Sequence, residues 1–174
     1  MELPDYKKPI ELPSGVTLHP SHDRAIDQVL HDLLRKAPAK FILLSEVSGQ
    51  ILSALGERTT ADLVALSSLV AGDLAASQEI ARLTDQYQNY QLILREGPQA
   101  NSFITEAGRH MVLFVRVGKD VPLGWARLLI HETSRQLSNI IITPAEDIGG
   151  LDLGLNEDKL SSLVDEELNS IWKG

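Results

Sequence analysis

The sequence predicts an α+β domain, a five-stranded and largely antiparallel sheet covered by helices. Two observations carry that prediction. Apolar residues recur every three or four positions in "SHDRAIDQVLHDLLRKAP", "TTADLVALSSLVAGDLAASQEIARLTDQ" and "DVPLGWARLLIHETSRQLSNIII", the period of helices with one covered side. Short alternating runs around turn residues fill the spaces between them, and alternation is the period of strands. The resulting order is helix, two strands, helix, three strands, helix, over about residues 21–142.

Residues 1–20 hold Pro4, Pro9, Pro13 and Pro20 with little periodicity, so they read as an extended arm that lies on the body. The first helix then lines up Ile26, Val29, Leu30, Leu33 and Leu34, with Ser21 as its expected cap and Pro38 just past its end. "KFILLSEVSGQILSALGE" reads as a hairpin whose strands, 41–45 and 51–55, meet at Ser48-Gly49. The long helix opens with Thr59 and Asp62 at capping-box spacing. It carries two stripes: a bulky one of Leu63, Leu66, Val70 and Leu74, and a small one of Ala61, Ala65, Ser68, Gly72 and Ala75 or Ala76. A mid-helix glycine costs about 1 kcal/mol relative to alanine, so Gly72 needs a reason. Small side chains let a second helix axis come close. The bulky stripe suits the chain's own sheet, which leaves the small stripe for another helix.

Strands follow at 90–96, 101–107 and 111–117. In the first, Leu92 and Leu94 point one way and Ile93 and Arg95 the other, which puts apolar groups on both faces. In the last, Met111, Leu113, Val115 and Val117 share one face while Val112 and Phe114 take the other, the pattern of a central strand. The third helix is expected to turn Trp125, Leu128, Leu129, Leu137 and Ile141 inward, with Pro122 in its first turn. Residues 143–156, "TPAEDIGGLDLGLN", read as a glycine-bearing linker. Residues 157–174 form an acidic amphipathic helix, capped by Asn156, with a docking face of Leu160, Leu163, Val164, Leu168, Ile171 and Trp172.

At 174 residues, 43% hydrophobic and 23% charged, the chain can bury one ordinary core. It has no cysteine, which removes disulfides, thiolate nucleophiles and cysteine-ligated zinc. It shows neither a signal peptide nor the roughly 20 continuous apolar residues of a membrane span. A cytoplasmic protein without membrane insertion is expected. The net charge is −8. Residues from Thr143 onward carry eight acidic groups against Lys159 and Lys173, a net −6, which leaves −2 for the rest. A near-neutral body with an acidic end does not suit nucleic acid, which needs basic surface to displace counterions.

Chemistry-bearing motifs are sparse. His19 and His22 flank a helix start and could meet a metal, although exposed histidines are commoner. His131-Glu132 is followed by Gln136 where a zinc-protease helix needs histidine. "VGKDVP" lacks the earlier glycine and the following Ser or Thr of a phosphate loop, and no nucleophile elbow occurs. The acids Glu166 and Glu167 suit a solvated face. No catalytic, cofactor or metal site is assigned, and an interaction protein rather than an enzyme is expected.

The segments "VSGQILSALG", "ALSSLVAGDLAASQEIARL", "YQLILREGPQANSFIT" and "PLGWARLLI", in that order, resemble the roadblock/dynein light-chain family. The resemblance implies a fold akin to the longin and profilin architectures, with the long helix on one face of the sheet and the other two helices on the opposite face. It further implies dimerisation through the long helix and the next strand, here Ala65, Ser68, Gly72 and Ala76 with Leu92, Ile93 and Leu94. Pairing with a second copy would cover that strand, since an open edge is a liability. Members are associated with motor complexes and with Ras-like small GTPases, and bacterial ones with a neighbouring small GTPase as regulator, scaffold or activating protein. The GTPase role is the expectation here. The proline-rich arm and acidic helix depart from the minimal family pattern. No arginine finger stands out, because surface charge accounts for Arg58, Arg95 and Arg109. A profilin- or longin-like sensor that binds a small ligand between helix and sheet is the alternative, ahead of an enzyme of unrecognised type.

Overall fold

A computed structural model describes residues 8–57, 62–85 and 92–172. Thr59, Ala61, Tyr90 and Gln91 lie outside the described residues, as do the side chains of Ile171 and Trp172. The elements run β1 (Ile10–Glu11), β2 (Thr17–Leu18), α1 (Pro20–Lys36), β3 (Ala39–Glu46), β4 (Ile51–Gly56), α2 (Leu63–Leu83), β5 (Leu92–Glu96), β6 (Ala100–Glu106), β7 (Met111–Gly118), α3 (Leu123–Ile142) and α4 (Glu157–Trp172). A single 3-10 turn, Ile148–Gly150, interrupts the stretch between α3 and α4.

Strands β3 to β7 form one sheet in the order β4-β3-β7-β6-β5, with every pairing antiparallel. β7 lies in the middle, as its two-sided apolar pattern requires. Met111, Leu113, Val115 and Val117 join the core beneath α1 and α3, while Val112 and Phe114 join a second core beneath α2. β4 and β5 are the two edges, and α2 carries the chain from one to the other across a face of the sheet. At about 1.5 Å per residue its 21 residues are long enough to cross five strands. α1 and α3 pack side by side on the opposite face. The hairpin turn at Gly49 (φ +91°) joins β3 to β4 as expected. At the far end of β4, a Cβ on Gly56 (φ +100°) would fall 2.4 Å from the Lys40 carbonyl oxygen, so only glycine fits there.

Several caps differ from expectation. α1 starts one residue before Ser21; His19 holds the cap position, and its N–H donates to His22 Nδ1 (3.1 Å). Ser21 instead donates its hydroxyl to the Ala145 carbonyl (3.1 Å). Asp62 caps α2 itself, accepting from the Val64 and Ala65 amides (3.0 and 3.3 Å). Pro122 sits at the N-cap of α3 rather than inside its first turn. Leu128 is only half-buried, whereas Ala126, Ile130 and Ile140 are fully enclosed, so the buried side of α3 is rotated from the expected one.

By length and composition α2 would pass for a membrane-crossing helix, alone among the described helices. Val70 and Leu74 are nonetheless buried on the sheet, and the helix carries Asp73, Glu79 and Arg82. The arm is partly folded from residue 8 onward: β1 pairs with β2, and Leu12 and Leu18 are buried in the larger core.

Candidate functional site

The outer side of α2 and the neighbouring edge β5 form the candidate site. The inner side of α2 behaves as its bulky stripe dictates, with Val70, Ala71 and Leu74 buried and Leu63 and Leu66 packed beside them. Ser67, also inward, donates its hydroxyl to the Gly49 carbonyl (2.8 Å) and ties the helix to the β3–β4 turn. On the outer side Ala65, Ser68, Gly72 and Ala76 are all exposed. A Cβ on Gly72 would meet nothing within 4 Å, so nothing inside this protomer requires glycine there. Leu69 stands 72% exposed on the same side, with Ile80 and Leu83 further along it. These three large residues were not among those expected from the sequence. Their spacing with the small ones (65, 69, 72, 76, 80, 83) is helical, but the bulky inner stripe obscures it.

On β5, Leu92 is half-buried against the α1/α3 core, Ile93 is half-buried against the α2 core, and Leu94 is 38% exposed. Arg95 reaches across to α2, donating from Nη2 to Asp73 Oδ1 (2.8 Å) and from Nε to Asp73 Oδ2 (3.2 Å). This two-pronged contact links the edge strand to the helix. Of the expected strand residues, Ile93 lies on the α2 side of the sheet, whereas Leu92, and with it Leu94 by alternation, lies on the opposite side. The Arg95 contact also accounts for one of the three arginines singled out above. Arg109 is exposed on the β6–β7 turn, and Arg58 lies outside the described residues. Between helix and strand runs a groove of about 500 Å³ lined by Leu66, Leu69, Gly72, Ile104, Phe114 and Arg95.

No protein-family model matches the chain, and no curated protein matches it either. Solved structures do. A Roadblock/LC7 domain from Streptomyces avermitilis shares the fold at 16% identity and a TM-score of 0.57, over 65% of this chain and 94% of that one. MglB from Myxococcus xanthus is 31% identical, with a TM-score of 0.62, over 66% of this chain and 93% of that one. The chain belongs to the roadblock family. It is similar as well to an MglB structure with a tetrameric arrangement, at 28% identity and a TM-score of 0.65, over 75% of this chain and 96% of that one.

At the C-terminal end of the described residues, α4 is capped by Asn156, whose Oδ1 accepts from the Lys159 amide (2.8 Å), as expected. Of its apolar face, Leu160 packs against the α1/α3 core and Leu163 is half-buried, while Val164 and Leu168 stay exposed. Residues 143–156 run back over α1 and α3, with Ile148 and Leu155 buried. His22 is buried there rather than exposed, with Nε2 against the Thr143 carbonyl (2.9 Å). Among the described residues no group of three or more His, Cys, Asp or Glu is placed to hold a metal. A polar cavity of about 420 Å³ lies between the β6–β7 turn and α3, lined in part by Glu106, Arg109, His131 and Arg135.

Two buried carboxylates were not anticipated from the sequence. Burial alone would raise the pKa of Glu132, but hydrogen bonds from Arg135 and Gln136 and the charges of Arg135 and Lys159 hold it below the ordinary value. Burial likewise opposes ionisation of Glu46, and contacts with Ser14 and Ser48, together with the charge of His110, lower it overall. A carboxylate with a depressed folded pKa adds stability above its unfolded value, and that stability is lost as pH falls through the folded one. Thermal stability is therefore expected to decline as pH drops below about 4.3, the ordinary Glu value. Glu132→Gln should flatten that decline in a pH series of melting curves.

Proposed function

We propose that this chain is a homodimeric, non-catalytic regulator of a Ras-like small GTPase, with the outer side of α2 and the β5 edge as its self-association surface. One observation carries the dimer: α2 carries Gly72 in mid-helix, at a cost of about 1 kcal/mol, facing open space between exposed Ala65, Leu69 and Ala76. A second α2 crossing there would use the glycine for close approach and would cover Leu69, Ile80 and Leu83. The tetrameric arrangement of an MglB relative supports self-association in this family. The GTPase part of the proposal rests on membership of the roadblock family.

A regulator must bind the two nucleotide states of its GTPase unequally, since equal affinity shifts nothing. Calorimetry with a Ras-like GTPase from the same organism, loaded with GDP or with a GTP analogue, tests this. The expected result is a preference of about tenfold or more for one state. Equal affinity would reduce the chain to a scaffold, and no binding to either form would overturn the proposal. The chain alone should not bind GTP, because it lacks the glycine-rich loop and lysine that cradle the phosphates. The same calorimeter checks that point.

A further inference from the structure

Residues 143–156 contain three glycines and a proline, the composition of a loose tether, yet the structure gives them an anchored course. Gln136 on α3 holds Gly154 from both sides: its Oε1 accepts the Gly154 amide (2.7 Å) and its Nε2 donates to the Gly154 carbonyl (2.9 Å). Asp32 on α1 accepts the Leu155 amide (3.1 Å). Gln136 also donates to Glu132 (2.8 Å), a carboxylate only 1% exposed, which Arg135 grips with two further bonds of 2.8 Å each. Lys159, in the first turn of α4, points back into this cluster. Its side chain is 14% exposed, with Nζ 3.9 Å from Glu132 Oε1, 3.1 Å from Asp152 Oδ2 and 3.0 Å from the Asp152 carbonyl. Leu160 follows it into the core.

We infer that this cluster is a clasp that fixes the base of α4 to α3, so that α4 is a held arm on the α1/α3 side of the sheet rather than a tail that can reach either face. A buried carboxylate must be compensated by charge and hydrogen bonds, and part of that compensation for Glu132 comes from Lys159. α4 therefore cannot leave without stripping Glu132 of a cation and pulling Leu160 out of the core. The consequence is positional. Because α2 lies on the opposite face of the sheet, the clasped arm leaves the outer side of α2 in its own protomer uncovered. Whatever meets Val164 and Leu168 does so in a separate place. This deepens the proposed function by dividing the self-association surface from the arm, and the clasp itself does not depend on dimerisation.

Hydrogen exchange on the full chain decides it, with Lys159→Met and, as a second variant, Glu132→Gln. The wild type should protect the amides of Leu155 and of residues 159–163, which have acceptors in the clasp or in α4. Lys159→Met should speed their exchange about tenfold or more while amides of β3 and β7 hold their rates. Glu132→Gln should give a similar local loss, and the double variant should add little to either, as expected of partners in one contact. Light scattering on the same samples should show an unchanged mass, which separates failure of the clasp from failure of the dimer. Unprotected amides at 155 and 159–163 in the wild type, or equal exchange in wild type and Lys159→Met, would overturn the clasp.

Discussion

Gly72→Leu is expected to split the dimer while leaving the protomer at least as stable as before. Within one chain the new side chain would point into open space, since even a Cβ there meets nothing within 4 Å. Replacing a mid-helix glycine by leucine should add up to about 0.8 kcal/mol to the protomer through helix propensity alone. In a two-fold contact the same change occurs twice. If each copy costs the usual 1–3 kcal/mol of overpacking, dimerisation loses about 2–6 kcal/mol, at least 30-fold in Kd. Sedimentation across a concentration series reads the second effect. Urea unfolding, at concentrations where both proteins are monomeric, reads the first. A variant that dimerises like the wild type would remove Gly72 from the interface.

A pair of truncations on the same helix should separate its two sides. Leu74 is 2% exposed in the core beneath α2, so Leu74→Ala should cost the protomer about 2–5 kcal/mol through lost burial and the cavity left behind. Leu69 is 72% exposed, so Leu69→Ala should change protomer stability by no more than about 0.5 kcal/mol. Its effect should fall on the dimer, where one copy's Leu69 would seat against the small residues of the other. Monomer unfolding and dimer dissociation, measured on both variants, give the comparison. Similar losses of protomer stability from both would mean that α2 is covered on both sides within one chain.

The same helix shows what the sequence could reveal and what it could not. Its inner stripe was legible because Leu63, Leu66, Val70 and Leu74 repeat at helical spacing and have a sheet to meet. The outer Leu69, Ile80 and Leu83 were not, because a helix with apolar residues on most of its circumference does not declare which of them face outward. The central place of β7 followed from its two-sided pattern, since local alternation records burial on each face. The rotated face of α3 was harder, as Leu128 and Ile130 are equally apolar and only packing against α1 chooses between them. The anchored course of residues 143–156 was the least legible. It depends on Gln136 and Asp32, far away in the chain, meeting backbone groups at Gly154 and Leu155. Glycine and proline content carries no trace of such contacts. For the candidate site, the small residues and the β5 edge were readable, but the Arg95–Asp73 link between them was not, because charges 22 positions apart have no periodicity to betray them.

The absence of cysteine from the chain makes a disulfide scan the most direct measurement of where a second copy docks. Single cysteines at Ser68, Gly72 and Ala76 would be oxidised in turn, with Gln28→Cys on the exposed side of α1 as the control. A disulfide needs Cα atoms within about 4.4–6.8 Å, and residues of two helices meet at that distance only near the crossing of a close, symmetric pair. The expected result is rapid and nearly complete covalent dimer at one or more of the three α2 positions and slow, partial crosslinking at position 28. Crosslinking at Ser68, Gly72 and Ala76 no faster than at position 28 would contradict self-association through this face.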